Sequence, residues 1–243
     1  GLYIVDMYRG LVQHRIYLTS YLRAQAESRG LEKEIDKGRI YRVVYKGASK
    51  SLQNLAKASG KQLVSALSSE NGWTRDTAQR LLVESSEDVN ADLAKLATDG
   101  GHALGRVHAL WALEGRAAIS PAVVLDALSD SDRGVRMAAA RIAEPWLKLP
   151  GSDAIIDQLV LNTGADDITE LRQMVLSLGA HGNILTHMGI RSALYNHADK
   201  PYIMDAALSG LAGEELEFLE LLLAERRWRT AEHRADVIEA LSD

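Results

Sequence analysis

One ten-residue pattern returns along the chain and restricts its fold more than any other feature. Trp73–Leu82 aligns with Leu104–Leu113 and with Gly134–Ala143, and weaker copies follow at Glu170–Gly179 and Tyr202–Leu211. The equivalent small or apolar positions are Ala78, Ala109, Ala139, Val175 and Ala207, separated by 31, 30, 36 and 32 residues. A period in this range accommodates two helices and two turns, the unit of an α-solenoid. One such hairpin cannot bury its own apolar stripe, so neighbouring hairpins must stack.

The residues inside each unit support this reading. First helices carry apolar stripes, such as Leu63, Val64 and Leu67, or Val123, Val124, Ala127 and Leu128. Turns rich in Asp, Asn and Gly follow at Asn71-Gly72, Asp99-Gly100-Gly101 and Asp130-Ser131-Asp132. Asp132 is placed to cap the next helix. Ser120-Pro121 sets Pro in a helix's first turn, where the missing N–H costs nothing. The chain holds 33 Ala and 35 Leu among 243 residues, both strong helix formers. The predicted fold is therefore mainly α: a right-handed α-solenoid of five to six helical hairpins over residues 60–243.

Residues 1–46 are different. They hold six of the eight Tyr and 9 Lys/Arg against 5 Asp/Glu, whereas residues 47–243 hold 19 against 28 and all four Trp. Leu2–Val5 and Arg39–Tyr45 alternate as strands, and Ile16–Arg29 reads as a helix ended by Gly30. Two strands and one helix are too little for an independent domain. The segment reads as a small α/β remnant of a larger β structure, joined through a linker at 47–59. The opening Gly1-Leu2-Tyr3-Ile4-Val5-Asp6 resembles an interior strand, and we expect the chain to be a piece of a longer polypeptide. No apolar run approaches the roughly 20 residues of a membrane-spanning helix, and no signal peptide is expected. The absence of cysteine excludes disulfides, thiolate zinc sites and covalent haem attachment within this chain.

The motif formed by Asp132, Val135, Arg136, Ala139 and Ile142 resembles the HEAT repeat in its short prokaryotic form. That resemblance implies a polar ladder between repeats, here assigned to Arg75, Arg106, Asp132, Arg136 and Arg172; Met204 stands where the next Arg would be. The stretch Gly1–Gly10, with Gln13-His14-Arg15, Tyr17-Leu18 and Asp36–Val44, resembles the last propeller blade of membrane-bound dehydrogenases from the Planctomycetes–Verrucomicrobia group. Those proteins join a β-propeller similar to glucose/sorbosone dehydrogenases to HEAT repeats, often followed by a cytochrome c domain. The resemblance implies a periplasmic or extracellular location and a quinone or haem held elsewhere in the full-length protein. It also implies that this chain is a non-catalytic interaction segment for a protein partner or a neighbouring domain. Two alternatives remain open: the segment belongs to a quinone-dependent sugar or alcohol dehydrogenase active unit, or it is a free-standing HEAT-like scaffold or nucleic-acid-binding protein.

Candidate chemistry is sparse. In a sugar-dehydrogenase-like propeller, Asp6, Arg9 and His14 would sit in a loop near the central channel as catalytic candidates; the plainer reading is a structural turn. His181, His187 and His197, spaced by 6 and 10 residues, give no i, i+4 pair on one helix face, so no metal site is expected. Trp73 and Trp228, with Arg226 and Arg229, form a possible binding surface, against the plainer reading of core packing for the Trp side chains. The repeat region's excess of acidic residues argues against nucleic acid. The acidic pairs Asp166-Asp167 and Glu214-Glu215 suit helix starts, and nothing in the sequence brings them together.

Overall fold

The computed structural model describes residues 2–33, 35–47, 54–99 and 101–242. The chain divides into two compact units, residues 1–52 and 53–243. It is mainly helical, with 62% of residues in helix, thirteen α-helices and one two-stranded sheet among the described residues.

In the first unit, β1 (Leu2–Asp6) pairs antiparallel with β2 (Arg39–Val43), Leu2 opposite Val43 and Asp6 opposite Arg39. Helix α1 (Ser20–Ser28) lies between them in sequence. It starts later than the predicted Ile16 because the Leu22 N–H donates to Thr19 Oγ1 and caps it there, while Arg15–Tyr17 forms a separate 3-10 turn. It ends as expected before Gly30, whose φ of +64° is left-handed. The register pairs five residues per strand, so Val44 and Tyr45 run past the ladder. On one face Leu2, Ile4, Tyr41 and Val43 are exposed, and on the other Tyr3, Val5 and Ile40. Among the described residues of this unit, Leu18 and Ala26 are the buried apolar ones. A two-stranded sheet bare on both faces is at best marginally stable.

The second unit begins earlier than the predicted boundary at 60. Part of the expected linker, 48–53, lies outside the described residues, but Leu55–Lys57 forms a 3-10 turn with Leu55 buried. Twelve helices follow: α2 (Gly60–Ala66), α3 (Gly72–Glu84), α4 (Asn90–Asp99), α5 (Ala103–Gly115), α6 (Pro121–Leu128), α7 (Arg133–Ala143), α8 (Asp153–Asn162), α9 (Ile168–Leu178), α10 (Ile184–His197), α11 (Ile203–Ser209), α12 (Glu215–Ala224) and α13 (Arg234–Ser242).

They pair as six consecutive hairpins, α2 with α3 through α12 with α13. Among second helices, α3 packs on α5, α5 on α7, α7 on α9, α9 on α11 and α11 on α13. Among first helices the chain of contacts runs α2–α4–α6–α8–α10, but α12 is not packed closely along α10. The repeat positions explain this order. Ala78, Ala109, Ala139, Val175 and Ala207 are each 0% exposed, and their small size lets the second helices approach one another. At the end of α9, a Cβ on Gly179 would lie 2.5 Å from the Gly210 Cα beyond α11, so these two helix ends meet backbone to backbone.

Helix starts follow the sequence signals. Ser120 caps α6 ahead of Pro121, and the N–H groups of Gly134 and Val135 donate to Asp132 Oδ1 at 2.8 and 3.3 Å. Asn183 and Thr186 close a reciprocal capping box at α10. No helix among the described residues is long and apolar enough to cross a membrane.

Candidate functional site

Charged side chains tie successive hairpins together. Arg106 on α5 reaches the turn before α7, donating from Nε and Nη2 to both Asp130 carboxylate oxygens at 2.7 and 2.8 Å. Arg136 on α7 takes the next step. Its Nη1 donates to the Asp130 carbonyl at 2.6 Å, and its Nε and Nη2 donate to Glu170 of α9 at 2.5 and 2.6 Å. Glu170 is only 2% exposed, so its charge depends on this planar, two-pronged partner. Burial pushes the Asp130 carboxyl upward, but the Arg106 hydrogen bonds, the Asp132 N–H and the two guanidinium charges outweigh it and hold the group below its ordinary range.

Earlier in the array, His108 Nδ1 donates to Gln79 Oε1 at 2.6 Å. Arg116 binds the carbonyls of Leu82, Ser85 and Glu87 and the side chain of Asn90, which closes the end of α3.

Three of the residues assigned to the ladder do not pair as assigned. Asp132 caps α7, as its place ahead of the helix predicted, and does not hydrogen-bond Arg136; the carboxylates of the ladder are Asp130 and Glu170, the latter invisible to a motif that looks only at the turn. Arg75 stays within its own hairpin, donating to the carbonyls of Ser69 and Glu70 at 2.7 and 3.2 Å. Arg172 stacks over the Tyr202 ring at 5.8 Å, a cross-hairpin contact without a carboxylate.

Of the proposed binding surface, Trp73 is 61% exposed at the start of α3. Trp228 is 3% exposed. Its ring packs edge-on against Tyr195 at 5.8 Å, on whose face Arg227 stacks at 3.7 Å. Trp228 is therefore a packing residue and not part of a binding surface, buried against Tyr195, while Arg226 and Arg229 are exposed.

A cleft opens where α12 parts from α10. It encloses about 480 Å³ and is lined on one side by Asn183, Ile184 and His187, and on the other by Glu214, Glu217, Glu220, Leu221 and Ala224. Glu214 stands at the N-cap position of α12 but caps nothing. Its carboxylate turns to His187 instead, Oε2 lying 2.8 Å from Nε2. Nε2 is buried at this contact. The imidazole is held edge-on against Phe218, 5.5 Å away. Gly182 completes the arrangement, because a Cβ there would lie 2.1 Å from Glu214 Oε2. Neither the spacing of the histidines nor the acidic pair pointed to this meeting; it needs the partial break between α10 and α12.

In the first unit the catalytic candidates stay apart in role. Asp6 Oδ1 accepts from the Tyr8 N–H at 2.9 Å, which holds Tyr8 in its left-handed conformation. His14 Nδ1 accepts from the Ile16 N–H at 3.3 Å, and Arg9 is exposed. Asp6 and His14 each serve a local turn.

Residues 1–47 match the family model of a domain of unknown function (DUF7133). The DUF7133 stretch holds β1, α1 and β2, so the step in Tyr content and charge at residue 46 coincides with the end of a recognised family segment. No curated protein and no solved structure matches the chain.

Proposed function

We propose that this chain is a non-catalytic interaction segment: a HEAT-like, right-handed α-solenoid that presents its face to a protein partner or neighbouring domain. The observation that carries the reading is the stepwise linkage of hairpins through Arg106–Asp130–Arg136–Glu170. Such a line of partly buried charges, with Glu170 fully buried, makes an array stiff at moderate gain in stability, which suits a surface that must hold its shape. The DUF7133 stretch, bare on both sheet faces, serves in this reading as a closing piece of a larger β structure. The resemblance to a dehydrogenase propeller blade supports a propeller there, with quinone or haem held outside this chain and a periplasmic or extracellular setting.

The test is a deletion of residues 53–243 from the full-length protein. The proposal expects catalysis by any remaining domain to persist while partner association or electron transfer to an acceptor falls. Equal association and equal transfer after the deletion would remove the role.

A further inference from the structure

We infer that the α12–α13 hairpin presents an open docking face for a further helical hairpin, one that brings a carboxylate to Arg234. This face gives the interaction reading above a location and a partner chemistry, and rests on it.

The repeat extends into α13. Val237 is 0% exposed and lies 30 residues after Ala207, so it continues the series that begins at Ala78. Three residues before it stands Arg234, as Arg106 stands before Ala109, Arg136 before Ala139 and Arg172 before Val175. Each of those three arginines reaches into the next hairpin: Arg106 to Asp130, Arg136 to Glu170 and Arg172 to the Tyr202 ring. Arg234 holds the same place, and among the described residues its side chain has no hydrogen-bond or ion-pair partner.

The stripe around Arg234 is the one that joins second helices. Arg136, Ala140 and Glu144 follow at intervals of four and so share one face. Arg136 donates to Glu170 of α9, Ala140 is 0% exposed, and Glu144 Oε1 accepts from Ser177 Oγ of α9 at 2.9 Å. The equivalent residues of α13 are Arg234, Ile238 and Ser242. Ile238 is half-buried where Ala140 is covered, and Ser242 is exposed.

The first helix carries a matching stripe. Leu216, Leu219 and Leu223 on α12 are spaced i, i+3 and i+7, the spacing of anchors between packed helices. Leu216 is 69% exposed and Leu223 46%. The stripe lies away from the α10 side, where Leu221 and Ala224 line the cleft. Leu216 and Leu219 border one depression of about 580 Å³ together with Leu241 and Ser242 of α13, so the two stripes belong to a common face.

The junctions before this face identify its occupant. Each earlier hairpin packs its second helix on the second helix that follows, and the ladder arginines receive their partners from that same neighbour. A further hairpin covers both stripes at once, apolar residues against α12 and a carboxylate at Arg234. A single extended peptide would cover one stripe and leave the other bare.

The test appends a copy of residues 146–180, which carries α8 and α9, directly after Asp243 of the whole chain. The copied Glu170 then lies 34 residues after Arg234, its separation from Arg136. Far-ultraviolet circular dichroism should show the added helix, and the thermal midpoint should rise by about 2–4 °C or more through the new junction. Arg234→Met should leave the midpoint of the original chain unchanged but lower that of the extended chain. Its effect there should not add to that of replacing the copied Glu170 with Gln, because both break one contact. Leu216→Gln with Leu223→Gln, at exposed positions, should spare the original chain and cancel the rise in the extended one. In the full-length protein, carbene labelling of Leu216 and Leu223 should fall below that of this chain. The inference is overturned if the appended hairpin stays unfolded, if the midpoint does not rise, if the Arg234 and copied Glu170 effects add, or if labelling is equal. Self-association of the original chain in sedimentation velocity, abolished by the two Leu→Gln changes, would assign the face to a second copy and also overturn it. The deletion test reads association and transfer rather than this junction, so the two readings fail separately.

Discussion

Replacing Arg136 with methionine should be the most damaging single change to the ladder. Both Glu170 carboxylate oxygens accept from Arg136, at 2.5 and 2.6 Å, and Glu170 is 2% exposed. Methionine keeps much of the stem's packing but strips the donors, leaving a carboxylate buried among α7 and α9. An uncompensated buried charge of this kind costs about 3–5 kcal/mol. For a unit the size of residues 53–243, each kcal/mol moves the midpoint by about 2–4 °C, so Tm should fall by roughly 6–20 °C. The partner variant separates charge from packing. Arg136→Met combined with Glu170→Leu removes both charges, and most of the loss should return because no buried ion is left. Urea and thermal unfolding followed by far-ultraviolet circular dichroism measure both. If Arg136→Met lies within about 0.5 kcal/mol of wild type, the range of an ordinary surface change, or if the double variant is no better than the single one, Glu170 does not depend on Arg136 and the reasoning fails.

Other consequences follow from the same geometry. Burial and the Arg75 guanidinium push His108 below its ordinary pKa, against the opposing pull of Asp76. The folded state thus binds fewer protons than the unfolded one. Its contribution to stability is present above the unfolded value of about 6.5 and is lost as pH falls through it toward the lower folded value; His108→Gln should flatten that slope in unfolding measured between mildly acidic and neutral pH. Gly179→Ala would place a Cβ 2.5 Å from the Gly210 Cα, so α9 and α11 must separate, and thermal unfolding should show a loss of about 1–3 kcal/mol, as for other overpacked sites. Asp132→Ala removes the acceptor for the Gly134 and Val135 N–H groups and should cost about 1 kcal/mol in a denaturant titration.

The sequence revealed what depends on local spacing. The five equivalent positions from Ala78 to Ala207 predict the packed seam of the second helices, because a helix position buried by its neighbours must be small in every repeat. Ser120, Asp132 and Gly30 announce helix ends through their own hydrogen bonds or backbone freedom. What escaped the sequence depends on distance along the chain. Glu170 lies 34 residues from Arg136 and inside a helix, so nothing near Arg136 identifies it as the partner. Asp130, not Asp132, receives Arg106 because the turn offers two carboxylates and capping takes the second. For Trp228 the plainer reading of core packing holds, but its partner Tyr195, 33 residues earlier, could not be read from the sequence. The His187–Glu214 meeting exists only because α12 departs from α10, an irregularity that a periodic pattern cannot express.

The account rests on an array of hairpins that folds by stacking and on a two-stranded sheet that lacks a core of its own. Amide hydrogen exchange resolved by mass spectrometry on this chain tests that division directly. The amides of α5, α7 and α9 should exchange slowly, near the global unfolding limit, while those of β1 and β2 exchange almost as fast as unstructured peptides. Strands as strongly protected as α7 would mean that residues 2–47 hold a complete structure needing no neighbouring strands, and the proposal of a closing piece for a larger β fold would be contradicted.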